Sequence, residues 1–347
     1  MYIVATISIN SYTADKIEEI IRAGAEVLRY NFSHGTPEEM TEKVNVAKEV
    51  INRLNVTEKV KILADLPGSK IRLGDIPVPG KVLPVTCGEV FTFKTGATTP
   101  DPCQFIPVNH PSIGAMVRKG DIFTLADGEI GFEVLENIDH DTFRARVLNT
   151  SRIPALKACN ITKGIDELNH LTEKTIAHIN NLPSINPDWV AFSFVNSTNY
   201  LKRAKDLLKP LITDDWQPRI VSKIETPQGI ERTDEIAKES DIVLVARGDM
   251  GLMCPIELIG IYQKQIIRAA KAANKEVIVS TQILESVVSS YVPGRSDVLD
   301  LTNIILDGAD GIMLARETGV SPTPGHSVEV ARRIINAVED QISRHAI

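Results

Sequence analysis

The sequence predicts an α/β chain: a (β/α)₈ TIM barrel with a small all-β domain inserted after the third barrel strand. Three observations carry that expectation. β-rich runs alternate with helix-period segments from residue 1 to about 72, and the same alternation resumes near residue 157. Between those points Pro and Gly become frequent and short alternating runs replace the helices. Three strands before the interruption and five after it give eight β/α units, the number a closed barrel needs. The expected division is a barrel over 1–72 and 157–347 and an all-β domain over 73–156.

Each element has its own signal. Residues 2–8 (YIVATIS) read as a strand, and 13–23 as a helix with Ile17, Ile20 and Ile21 at i, i+3, i+4 spacing. Residues 26–32 form the second strand, a helix covers 37–54, and 60–66 form the third strand. In the interruption, DIFTLA, IGFEVLE and DTFRARVL alternate, and Asp127-Gly128 between two of them signals a hairpin. Strands follow at 188–195, 218–225, 241–247, 276–283 and 308–315. A last helix places Ala331, Ile334, Ile335, Val338 and Ile342 on one face. A doubly wound open sheet would want a Gly-rich phosphate turn after a strand, and neither GxGxxG nor GxxxxGK[ST] is present.

Composition narrows the function. The 347 residues are 43% hydrophobic and 24% charged, ordinary for a globular chain. A net charge of −7 argues against broad nucleic-acid or anionic-membrane binding. No apolar run reaches the roughly 18 residues of a spanning helix. The N-terminus enters a strand pattern at once, and the four scattered cysteines read as reduced thiols. A cytoplasmic protein acting on small molecules, with no nucleic-acid or membrane partner, is expected.

Polar residues gather where the strands end. Arg29, Asn31 and Ser33 share one face of the second strand, and His34-Gly35 closes it. The third strand ends in Asp65, followed by Pro67-Gly68-Ser69-Lys70-Ile71-Arg72. The fifth carries Lys223 and Glu225 on one face, the sixth runs into Arg247-Gly248-Asp249, and the seventh into Ser280-Thr281-Gln282. In a (β/α)₈ barrel these ends converge at one mouth. Glu225 and Asp249 offer hard oxygens suited to Mg²⁺ or Mn²⁺. Arg29 and Lys223 supply cations for phosphoryl oxygens. Thr281 offers a hydroxyl for a proton path. The residues alone leave open a phosphotransferase, a metal-dependent lyase acting on enolates, and a silent binding protein.

Seven segments, in this order and spacing, resemble the pyruvate kinase family: LRYNFSHG (28–35), LADGEIGFEV (125–134), LTEKT (171–175), VSKIET (221–226), VARGDMG (245–251), STQILES (280–286) and LDGADGIMLARET (306–318). The resemblance implies phosphoryl transfer from phosphoenolpyruvate to ADP, giving pyruvate and ATP, with the β domain acting as a lid. A related phosphotransferase with another acceptor is the alternative. It further implies that Lys223 and Arg29 act on the transferring group, that Glu225 and Asp249 hold the divalent metal, and that Gly248, Asp249, Thr281 and Ser193 hold substrate. Thr281 would help protonate the enolate. His34, Arg72, Asn31 and Lys157 match the nucleotide side, and Asn31, Ser33 and Asp65 match a monovalent-cation site.

The chain also departs from the family pattern. Lys70 stands where potassium-dependent members carry glutamate, so K⁺ is expected to be dispensable, with the ammonium in its stead. Ser8-Ile9, Leu66-Pro67, Met253, Gly294-Arg295-Ser296-Asp297 and Ala315-Arg316 differ as well. The sequence given stops after the last barrel helix, so a chain without the usual C-terminal effector domain is expected, as a monomer or homodimer.

Overall fold

Eight short apolar segments form the staves of a closed parallel barrel: β1 (Tyr2–Ile7), β2 (Val27–Asn31), β3 (Lys61–Leu66), β4 (Trp189–Phe192), β5 (Arg219–Ile224), β6 (Ile242–Ala246), β7 (Glu276–Ser280) and β8 (Gly311–Leu314). They pair in sequence order, and β8 closes on β1. The computed structural model describes residues 1–161 and 171–345. Strands of such a barrel are covered on both faces, which is why β6 (IVLVA) is buried at every position.

The inward faces change character along each strand. Val4, Val27, Leu63, Val221, Ile278 and Met313 belong to one continuous apolar core inside the barrel. Two residues further on, the same faces carry Thr6, Arg29, Asp65 and Lys223, because side chains on a strand repeat every second residue. A dry plug therefore fills the lower barrel, and a charged layer lies at the C-terminal ends above it.

The height of that layer is set by register. Ile3, Ile62, Ile220 and Val277 on the odd-numbered strands donate their backbone N–H to Glu26, Asp188, Asp241 and Asp310, at 2.7–2.9 Å. Each acceptor stands at the start of the next, even-numbered strand. Four such locks, one for each odd–even pair, fix the stagger within β1–β2, β3–β4, β5–β6 and β7–β8.

The helices outside follow their sequence signals. α1 (Ala14–Arg22) buries Ile17, Ile20 and Ile21. α2 (Pro37–Arg53) opens on a Thr36/Glu39 capping box and buries Met40, Val44, Ala47, Val50 and Ile51. The chain's last described helix is Pro324–His345.

Two compact units are present. One comprises Met1–Gly68, Leu171–Met250 and Glu257–Ile347, and the other Ser69–His170 and Gly251–Ile256. The second is β-rich, as expected, but its limits differ from 73–156. Ile71 accepts from Cys159, Leu73 donates to Lys157, and Arg72 bridges Ala158, so the two connecting segments pair with each other and belong to the insert. Its six-stranded sheet encloses Phe93, Phe123, Phe132 and Phe143, with ring centroids 5.1–5.5 Å apart. Ala126, Asp127 and Gly128 all take positive φ (51°, 56° and 91°) at the expected hairpin.

Candidate active site

The centre of the charged layer is a carboxylate between two cations. Asp65 Oδ2 accepts from Arg29 Nε at 2.9 Å and Nη2 at 2.7 Å, and its Oδ1 lies 3.2 Å from Lys223 Nζ. All three side chains are nearly inaccessible. Burial opposes ionisation of Asp65, but Lys223 and Arg29 outweigh it and hold the carboxyl below the ordinary aspartate range. Burial likewise opposes the Lys223 ammonium, and Asp65 and Glu225 overcome it, raising its pKa. Lys223 is therefore a fixed cation. Ser193 orients it: Lys223 Nζ donates to Ser193 Oγ at 2.8 Å, and that hydroxyl donates to Leu66 O at 2.9 Å.

Glu225 lies 3.9 Å from Lys223 Nζ and is 1% exposed. Its Oε1 accepts the Phe194 N–H at 2.7 Å. Here the expected strand 188–195 is corrected, because β4 ends at Phe192 and Phe194 turns into the left-handed region at φ 56°. The turn aims an amide at Glu225 that a continuing strand would have given to its ladder. Burial pushes the Glu225 carboxyl up to about 7, Lys223 opposes this, and the neighbouring Asp249 charge reinforces it.

Glu225 and Asp249 are hard carboxylates whose charges oppose one another, a donor set suited to a divalent cation. Among the described residues no group of three or more His, Cys, Asp or Glu side chains could hold a metal. A cation here would complete its shell with water or substrate oxygens, the habit of Mg²⁺. The residues fit the group.

Gly248 and Thr281 form the third part. A Cβ at Gly248 would meet Thr281 Cγ2 at 3.2 Å and Oγ1 at 3.3 Å, so glycine keeps this close approach without displacing the Thr281 side chain. The expected strand 276–283 ends at Ser280, since Thr281 and Gln282 both adopt left-handed backbone, φ 78° and 52°. Two residues that sequence reasoning passed over hold this bend. Arg247 donates to the Thr281 carbonyl at 2.6 Å, and the fully buried Glu317 accepts from Ile283 and Leu284. In the sequence Arg247 stands out only as the residue before Gly248-Asp249 at a strand end, and Glu317 only as part of the segment 306–318.

Asn31 and Ser33 lie at the end of β2, where Asn31 Oδ1 accepts the Ser33 N–H at 3.1 Å and Lys174 Nζ donates to the Ser33 carbonyl at 2.8 Å. His34 follows them, exposed. Lys70, Arg72 and Lys157 belong to the β-rich unit, where Arg72 and Lys157 are exposed and Lys70 is half-buried. The barrel unit itself brings together Arg29, Asp65, Ser193, Lys223 and Glu225, with Gly248 against Thr281.

Comparisons with known proteins point one way. Residues 1–328 match the family model described as "Pyruvate kinase, barrel domain". A pyruvate kinase of Thermococcus litoralis is 34% identical over 338 residues, spanning 97% of this chain and 69% of the relative. One from Thermotoga maritima is 33% identical, spanning 98% and 71%. A crystal structure of a pyruvate kinase from Cryptosporidium parvum superposes with a TM-score of 0.89 at 29% identity, covering 98% of this chain and 69% of that one.

Proposed function

The chain belongs to the pyruvate kinase family, and we infer that it moves the phosphoryl group of phosphoenolpyruvate to ADP, giving pyruvate and ATP. The observation that carries this reading is the buried Lys223, 3.2 Å from the Asp65 carboxylate that also pairs with Arg29, and 3.9 Å from Glu225. The bond between phosphorus and the enol oxygen breaks, a bond from phosphorus to the terminal ADP oxygen forms, and the enolate left behind takes a proton at its methylene carbon. Charge on the phosphoryl oxygens and the enolate must be met throughout, which positioned cations do better than water. Lys223 and Arg29 supply two, and Asp65 holds both in place. A divalent cation held by Glu225 and Asp249 would supply further neutralisation of phosphoryl and carboxylate oxygens. The backbone at Gly248 leaves room for the substrate carboxylate, and the Thr281 hydroxyl beside it is placed to pass the proton. No described helix is long and apolar enough to cross a membrane.

The metal reading has a direct check. Activity is expected to vanish in excess chelator and return with Mg²⁺ or Mn²⁺. Asp249→Asn should remove most turnover while the far-UV circular dichroism and melting profile stay put. Full activity in chelator would refute the assignment.

K⁺ is proposed to be dispensable. The reading rests on Lys70, an ammonium of the same sign as K⁺ where potassium-dependent members of the family carry glutamate; a second cation ~4 Å from it would be repelled by about 4 kcal/mol at an effective dielectric of ~20. Turnover in a large organic cation at constant ionic strength should match turnover in K⁺, and Lys70→Glu should introduce a K⁺ requirement. Strong K⁺ activation of the unaltered protein would end this proposal.

A further inference from the structure

We propose that Arg247 and Asp300 form a positioning pair that holds the Thr281 hydroxyl in place for protonation of the enolate, a role that rests on the reading of Thr281 given above. The pair touches no reacting atom. It acts on the backbone that carries Thr281.

A β-branched residue rarely adopts a positive φ, and two successive non-glycine residues in the left-handed region need support from their surroundings. Here Thr281 and Gln282 lie at φ 78° and 52°. Arg247 supplies the support from one side. Its Nε lies 3.2 Å from both the Ser280 and Thr281 carbonyl oxygens, and its Nη2 lies 2.6 Å from Thr281 O and 3.3 Å from Gln282 O. Three consecutive carbonyls can face one guanidinium only where the chain curls, and an extended strand would send alternate carbonyls to opposite sides.

The guanidinium is itself fixed. Asp300, on the helix α3 (Arg295–Leu306), accepts hydrogen bonds from Nη1 and Nη2 at 2.8 Å each, a two-pronged pairing that sets the plane as well as the position. Gln263 accepts from Nη1 at 3.2 Å. The Arg247 side chain is 12% exposed, so water competes weakly for these bonds. From the other side, Glu317 takes the Ile283 and Leu284 amides. Arg247 also immediately precedes Gly248, which Thr281 touches, so one residue ties the substrate-carboxylate backbone to the proton-carrying loop.

The test separates proton delivery from the rest of the reaction. In D₂O, with Mg²⁺ and ATP present, the enzyme should exchange pyruvate methyl protons for deuterons by removing and returning a proton at that carbon. Asp300→Asn and Arg247→Lys are each expected to slow this exchange by about 10- to 100-fold, the scale of a small misplacement of a reacting group. KM for phosphoenolpyruvate should stay near that of the unaltered protein, and the solvent isotope effect on kcat should rise. Gln282→Gly, placed in the Asp300→Asn background, should recover part of the exchange, because glycine enters the left-handed region without support. A role confined to general stability would show no such recovery. Unchanged exchange in Asp300→Asn and Arg247→Lys, or loss that Gln282→Gly leaves unrepaired, overturns the proposal. Thr281→Val distinguishes the two readings. Exchange lost there but kept in the other variants rejects the pair alone, and exchange kept in Thr281→Val rejects the role of Thr281 and the pair with it.

Discussion

Lys223→Met is expected to lower kcat by about 10²- to 10³-fold while moving KM for phosphoenolpyruvate far less, the scale of losing one group aimed at developing charge. The reason lies in its surroundings. Its ammonium is nearly inaccessible, stays charged because Asp65 and Glu225 face it, and is oriented by the Ser193 hydroxyl at 2.8 Å. Such a cation needs no rearrangement when the phosphoryl group leaves the enol oxygen. Methionine fills similar volume without charge, so the packing of the layer is largely kept. Steady-state kinetics with a melting curve on the same sample check the claim. A variant that keeps kcat and loses substrate affinity would make Lys223 a binding residue.

The second large effect is on stability. Asp65→Ala should cost roughly 3–5 kcal/mol, because it leaves Arg29 and Lys223 as neighbouring buried cations with no carboxylate between them. For a domain of this size that corresponds to a melting temperature lower by roughly 10 °C. Asp65→Asn should cost less, since the amide oxygen still accepts one of the bonds. The pH dependence has a defined sign. Asp65 has its folded pKa depressed, so its ionic contribution is full above the ordinary aspartate range and is lost as the pH falls through the folded value. The gap between the unaltered protein and Asp65→Asn should therefore narrow in acid. A gap that widens, or an Asp65→Ala variant as stable as its parent, would show that the two cations find other partners.

The sequence reading succeeded where a signal is local and failed where it is not. Period-two alternation is a property of neighbouring residues, so the inward faces of β2, β3 and β5 could be read directly, along with Arg29, Asp65 and Lys223 on them and Glu225 just past the end of β5. Their partners could not be read. Arg29 and Asp65 are 36 residues apart, and nothing in either strand says that their side chains meet between neighbouring staves. The same blindness shortened two strands. Residues 193–195 and 281–283 are as apolar or β-prone as the staves before them, but their backbones turn aside because Glu225 and Arg247 draw particular amides and carbonyls toward the mouth.

The order of strands, the inserted β unit and the residue types at the barrel mouth were determined by the sequence alone, because hydrophobic period and turn chemistry act over a few residues. The shared bonding of Asp65 between two cations, the left-handed bend that presents Thr281 to Gly248, and the Arg247–Asp300 contact across 53 residues were decided only by the tertiary structure. Those features depend on register and closure. In a ring of eight strands, the stagger of each pair sets which side chains stand at the same height, and that stagger is fixed by contacts between segments far apart in the chain.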